Sequence, residues 1–336
     1  MSLQHTKQFG SWEFLCSHSP SLAPCNLFFN QIQSLNSSDT ILYNSTSFSL
    51  VSNNLQSAGV GVRPTCFIRR AGHEGGLGNI AQIVATALCF VFSLILFAAA
   101  KRRIAAVGRV EFATLLGLWA LIDVFSLLTT GSFLQQGSDY IVWLTSIQMG
   151  LRSAWFWSLI VNGLNSTQLI EDGTPPSILS LWVGGIAFFV GTGYIAVDTA
   201  FNWSGNLPPS NPPEYLLSNG LFVLLLLWPM IAVFIYSLLM TYVIFFLLKE
   251  SIPAFWFSLS LLSFMLSQAA LFALGHTICD GTNSRIDGAF VATLLEAISL
   301  GLLFAGWRSI TEDSWYGYDG PQVPVYPKQE PLSNFK

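Results

Sequence analysis

The side chains with chemistry in them are few and scattered. The chain has five cysteines and four histidines in 336 residues. Cys16, Cys25 and Cys66 lie in a Ser/Asn-rich N-terminal stretch, Cys279 lies in a short connector near the other end, and Cys89 falls inside an apolar run. Four cysteines in one oxidising compartment suit two disulfides that tie the tail to the rest of the chain, with the pairing left open. His276 and Cys279 have H-x-x-C spacing, but no second close pair completes a metal site, so no metal is expected. The run Gly75, Gly76 and Gly78 resembles a phosphate loop only superficially. No strand precedes it and no Lys-Ser/Thr follows, so it reads as a hinge and no cofactor is expected. No nucleophile stands beside a supporting base, and no two acids share a plausible cleft, so no catalytic residue is expected.

Three charges stand in apolar surroundings: Asp123, Arg152 and Glu296. A charge at the centre of a bilayer costs at least ~2.5–3.5 kcal/mol, so each should face protein, water or a partner. Asp123 and Arg152 lie on successive apolar segments that run in opposite directions. Their depths differ by about 6 Å, within an arginine's reach, so an Asp123–Arg152 ion pair is expected. Glu296 shares a face with Thr293 and Ser299 and is expected to hydrogen-bond a polar strip of Ser260, Ser263, Ser267 and Gln268. Contact with the transmembrane helix of another protein is the sharper reading. A stripe of Ser146, Gly150, Ala154, Ser158 and Asn162 recurs every four residues. Small residues at that spacing let helix backbones approach closely in lipid.

The elements that position these groups follow from hydropathy. Only 10% of the residues are charged, 52% are hydrophobic, and the mean hydropathy is +0.55. Apolar stretches of ~20 residues match the thickness of a bilayer core, where only a self-bonded backbone is tolerated. Seven helices are expected, at roughly 79–100, 110–131, 140–163, 177–199, 215–247, 253–275 and 287–306. The fifth is too long for one upright span and is expected to tilt, extend or bend at Pro229. The fold class is therefore all-α, a polytopic bundle of seven transmembrane helices.

Lys101, Arg102, Arg103 and Arg109 sit in the first connector, Lys249 after the fifth helix and Arg308 after the seventh. Basic residues near membrane ends favour the cytosol, which puts the N-terminus in a lumen and the C-terminus in the cytosol. The connector 164–176 has no basic residue and lends no support. Residues 1–30 hold no apolar run of signal-peptide type, so the first helix is expected to insert as a reversed anchor. The expected division is a lumenal disulfide-pinned segment 1–78, a transmembrane domain 79–308 and a Pro/aromatic cytosolic tail 309–336. Asn36, Asn44 and Asn202 open glycosylation sequons on the lumenal side, whereas the sequon at Asn165 falls on the cytosolic side.

The order of motifs along this topology resembles the fungal chitin synthase export chaperones. Phe9-Gly10 and the Cys16…Pro20…Cys25 cluster resemble the family's N-terminal signature, and 61–66 with Arg69 resembles the segment before the first helix. Residues 106–111 resemble the first cytosolic connector. The segments 137–138, 147–151 and 171–174, then Gln268, 278–280, 286–288 and Trp307 with 310–313, follow at the family's separations. Gln135-Gln136, Thr130, Ile170 and Glu296 depart from its pattern, which leaves both a main chaperone and a diverged paralogue as forms of the reading.

The resemblance implies a non-enzymatic, multi-pass chaperone and cargo escort in the endoplasmic reticulum membrane. It would help a chitin synthase fold and leave, and would either stay behind or travel with its client to the plasma membrane. The partners it implies are the synthase and the lipid bilayer, with homo- or hetero-oligomers open and no nucleic acid. The alternative is a seven-helix receptor or small-solute transporter, which would need a polar cavity where a chaperone needs only packed helices. The expected topology has a direct readout. Glycopeptide mapping of protein from native membranes should find glycan at Asn36 or Asn44 and none at Asn165; glycan at Asn165 would reverse the orientation.

Overall fold

The computed structural model describes residues 9–29, 66, 68, 78–103, 106, 108–134, 137–170, 173–205 and 216–316. Asn36, Asn44, Gln135, Gln136, Arg69 and the tail beyond 316 lie outside the described residues. The described chain is helical. A short α1 (Glu13–His18) and a 3-10 turn (Ala23–Phe28) precede α2 (Ile80–Arg102), α3 (Arg109–Thr130), α4 (Asp139–Ser166) and α5 (Pro175–Phe201). Then come α6 (Asn219–Leu248), α7 (Ser251–Phe272), the short α8 (Gly275–Gly281) and α9 (Gly288–Tyr316).

Six of these, α2, α3, α5, α6, α7 and α9, are long and apolar enough to cross a bilayer. The 28-residue α4 has the length but is more polar. Its position explains the difference. It packs against α3, α5 and α6, and its Thr145, Ser146, Gln148, Ser153, Ser158, Asn162 and Asn165 are all buried. A helix enclosed by other helices need not be apolar to avoid lipid contact. By contrast, α5 turns Trp182, Val183, Ile186 and Val190 outward, each more than half exposed.

The fifth apolar stretch is one continuous helix of 30 residues. Its turns widen to π geometry over Val223–Leu227, just before Pro229, and again over Val243–Leu248. Proline has no N–H and its ring crowds the preceding turn, so a widened turn there absorbs the mismatch. Lys249, in the left-handed region at φ 57°, then reverses the chain into α7. Although consecutive, α6 and α7 barely touch; α7 packs extensively on α9, and α6 on α4.

Close approach uses the small residues of α4. A Cβ on Gly150 would stand 2.6 Å from the Phe189 carbonyl and 2.9 Å from its ring, on α5. Ala154 and Ser158 are buried along the same stripe. The stripe is thus occupied by packing within the bundle. Overpacking of this kind costs about 1–3 kcal/mol. Gly150→Leu should therefore lower the melting temperature of the detergent-solubilised protein, with Gly150→Ala intermediate; an unchanged melting curve for Gly150→Leu would contradict the α4–α5 contact.

Candidate functional site

The buried charges meet in one polar cluster at the middle of the bundle. Arg152 is midway along α4, and its Nη2 lies 3.6 Å from Glu296 Oε2 on α9. Gln268 Nε2 on α7 donates to Glu296 Oε1 at 3.2 Å and to Ser267 Oγ at 3.1 Å. Gln82 Nε2 on α2 donates to Thr293 Oγ1 at 2.8 Å, one turn from Glu296. Asp123 accepts a hydrogen bond from Ser93 Oγ at 3.0 Å. The expected Asp123–Arg152 ion pair is therefore not made. Comparing depths on α3 and α4 could not reveal that α9 also reaches this level and supplies a closer acid. Of the polar strip on α7, Gln268 reaches Glu296, whereas Ser260 and Ser263 donate to the carbonyls of Ser299 and Leu295.

A second polar assembly closes the end of the bundle where α2 and α9 begin. The segment 9–29 is pinned by a Cys16–Cys25 disulfide and buries Trp12, Leu27 and Phe28 against α4, α5, α6, α7 and α9. It hydrogen-bonds to five helix ends. Ser19 Oγ donates to the Leu271 carbonyl at 2.6 Å, and Asn26 Nδ2 to the Thr129 carbonyl at 3.3 Å. The Ser21 N–H donates to Asp287 Oδ2 at 3.2 Å, and Asn79 Nδ2 to Ser21 Oγ at 3.0 Å. Trp12 N–H donates to the Leu216 carbonyl and Ser218 N–H to the Gly10 carbonyl, pairing this segment with the approach to α6. Burial pushes the Asp287 carboxyl up from its ordinary pKa, opposed by the bonds from Ser21 and Phe290. Cys66 is joined to Cys279 on α8 in a second disulfide, and Cys89 is a buried free thiol. Cys279 is therefore not available as a metal ligand. His276 instead faces Asp280, with Nδ1 3.3 Å from Oδ2.

At the opposite end Glu111 is fully buried. Its Oε1 accepts from Ser177 Oγ at 2.6 Å and from the Gly173 N–H at 2.9 Å, joining α3 to the start of α5. Asn165 Nδ2 donates to Ser177 Oγ at 2.8 Å and is buried, so this sequon is closed to a glycan in the folded protein. Asn202 is exposed at the C-cap of α5. Sequence reasoning did not single out Gln82, Gln148, Glu111 or Asp287 as joints. Each is a polar residue in or beside an apolar run, which is the signal that could have found it.

A family model described as chitin synthase export chaperone matches residues 8–317. The chain belongs to the chitin synthase export chaperone family. It is 29% identical over 265 residues to a chitin synthase export chaperone of Gibberella zeae, covering 77% of this chain and 76% of that protein. The identity is 29% over 260 residues with the protein of that name from Chaetomium globosum, covering 76% of each chain. With that of Coccidioides immitis it is 27% over 270 residues, covering 79% and 78%. No solved structure matches the chain. The family takes its name from helping an enzyme leave, not from catalysis. Among the described residues no group of three or more His, Cys, Asp or Glu side chains is placed to hold a metal ion.

The central cluster makes a quantitative prediction. Losing one member of a buried ion pair strands the other, whereas replacing both does not. Arg152→Gln and Glu296→Gln should each destabilise the solubilised protein. The double variant should recover about 0.5–3 kcal/mol relative to the sum of the singles. Arg152→Gln combined with Asp123→Asn should recover less. Equal recovery in both cycles, read from melting curves, would mean that Arg152 does not prefer Glu296.

Proposed function

We propose that this protein is a membrane chaperone that assists a chitin synthase to fold and leave the endoplasmic reticulum. The observation that carries the reading is the family match over residues 8–317, which includes the cap and every long helix. The proposed topology has seven spans, with α4 as the central, more polar one, the N-terminus lumenal and the C-terminus cytosolic. Two features support it. Both disulfides lie towards the end of the bundle where α7 finishes and α9 starts, as one oxidising compartment would require. Lys101 and Arg102 lie at the opposite end of α2. On this reading Asn36, Asn44 and the exposed Asn202 are glycan acceptors. The chain divides into a lumenal segment 1–78, the helical domain 79–308 and a cytosolic tail.

The proposed mechanism is contact between helices, without catalysis. An unassembled synthase exposes helix faces with small or polar residues, and unsatisfied polar groups in lipid are costly. Since Gly150, Ala154 and Ser158 are occupied internally, outward faces such as Ile186 and Val190 on α5 are the surfaces left for a client. A receptor or transporter has one observation in its favour, a cavity at the bundle centre.

Deleting the protein from its own cells should hold a chitin synthase in the endoplasmic reticulum and lower wall chitin while the synthase's catalytic residues are intact. Microscopy of a tagged synthase and a wall-chitin assay read the two effects. Normal surface delivery, together with no co-purification of any synthase in mild detergent, would refute the chaperone reading.

A further inference from the structure

The polar cluster does not fill the space around it. A cavity of about 90 Å³ lies between α2, α3, α4, α6, α7 and α9 beneath the cap, with Arg152, Glu296, Gln268 and Gln82 in its wall. A second, of about 120 Å³, follows the seam between α6 and α7 towards their connector. Trp155 and Phe264 line both, so the two adjoin. The seam wall is mainly apolar, with Leu159, Tyr236, Met240, Phe257 and Leu303. From Val233 to Phe245 it follows α6 for about 18 Å at ~1.5 Å per residue. α6 and α7 make few contacts, with Tyr236 and Phe257 meeting edge to face at 6.4 Å across the seam, so we read the seam as the lateral way in from the lipid. One π turn of α6 precedes this stretch and the second overlaps its far end, and π turns are frequent at functional sites.

We propose that the α6–α7 seam and the Arg152 cavity together bind a membrane-soluble amphiphile with a compact, neutral, hydroxyl-bearing head. The apolar body lies in the seam and the head beside Arg152. Three observations define the head. First, the Arg152 side chain lines the cavity and is 33% accessible although it sits at mid-helix, and its Nε has no hydrogen-bond partner among the described residues. An acceptor oxygen is the natural partner. Second, Glu296 stands in the same wall with its carboxylate on Arg152. An anionic head would meet that acid, and a cationic head would meet the guanidinium. Third, Gln82 Oε1 and Ser153 Oγ in the wall have no hydrogen-bond partner among the described residues. A hydroxyl is both donor and acceptor, so it can serve groups of either kind. A sterol and a diacylglycerol share this chemistry. The inference stands apart from the chaperone reading, since its readout is ligand occupancy and not synthase export.

The test uses full-length protein in mild detergent and two photoreactive probes, a diazirine sterol with a free hydroxyl and a diazirine diacylglycerol. Irradiation, digestion and mass spectrometry map the attachment. One probe should label facing positions of α6 and α7, saturably, and unlabelled ligand of the same class should compete. Whichever probe does so identifies the source. Ser237→Phe and Ala254→Phe, which fill the seam from opposite walls, should cut labelling by roughly tenfold while the protein still melts cooperatively. Masking the hydroxyl as a methyl ether should also weaken labelling, a readout that seam filling alone would not move. Labelling confined to outward residues such as Phe234 and Met265, or unaffected by Ser237→Phe, would overturn the proposal. So would failure of both probes while crosslinks from the seam reach a synthase, because the occupant would then be a client helix.

Discussion

A guanidinium in a low-dielectric interior has to be answered, and much of this bundle is arranged around that need. Lipid offers Arg152 no partner, so the residue must be enclosed, and enclosing it makes α4 the helix that others surround. Glu296 brings α9 to the same depth, Gln268 fixes α7 behind it, and Thr293 holds Gln82 of α2 one turn away. Four helices are thus held in register by polar contacts. Shape complementarity fills in between. Gly150 lets the α5 backbone approach, and Trp119 and Trp155 meet edge to face at 4.8 Å between α3 and α4. In lipid there is no strong hydrophobic drive between helices, so close packing and hydrogen bonds must supply the association.

The segment 9–29 is part of the bundle and not a domain beside it. Its buried side chains share one apolar cluster with residues of α4, α5, α6, α7 and α9. Helix ends carry unsatisfied backbone groups. The cap meets some of them, at Leu271 and Thr129. The Cys16–Cys25 link joins α1 to the 3-10 turn, and Cys66–Cys279 attaches the chain a second time at α8. The motifs that carry the family resemblance coincide with these joints. Glu111 meets Gly173, Asp287 meets Ser21, and Phe9-Gly10 pairs with the approach to α6. Such residues hold helices together; they are not a reaction centre.

One place is left loose. Two consecutive helices joined by a tight turn usually pack together, yet α6 and α7 stand apart and leave a seam that leads to the charged centre. Elsewhere the outward faces are uniformly apolar, as on α5, and suit lipid or a client's helices equally. A protein that escorts another membrane protein can offer such faces without exposing polar groups. The seam differs from them because it combines apolar walls with serine hydroxyls and adjoins the cavity that holds Arg152.

The sequence determined the helices themselves. Long apolar runs can satisfy their backbones in lipid in only a few ways, so the ends observed for α2 to α7 fall within a few residues of the hydropathic expectation, whereas the short α8 lies in the expected connector and α9 extends to Tyr316. The groups needing explanation, Arg152, Glu296, Gln268 and the four cysteines, were also visible, because a polar residue in an apolar run is conspicuous. Their partners were not. Periodicity gives the face of a helix and the depth of a residue, but not which neighbour stands opposite, and so Asp123 was matched to Arg152 where Glu296 takes that place. The small-residue stripe on α4 marked a close approach without saying that α5 would occupy it. Which cysteines join, how the cap reaches five helix ends, and that α6 and α7 fail to close were decided only in three dimensions. These depend on how all the helices pack at once, and a pattern read along one chain holds no distances between its segments.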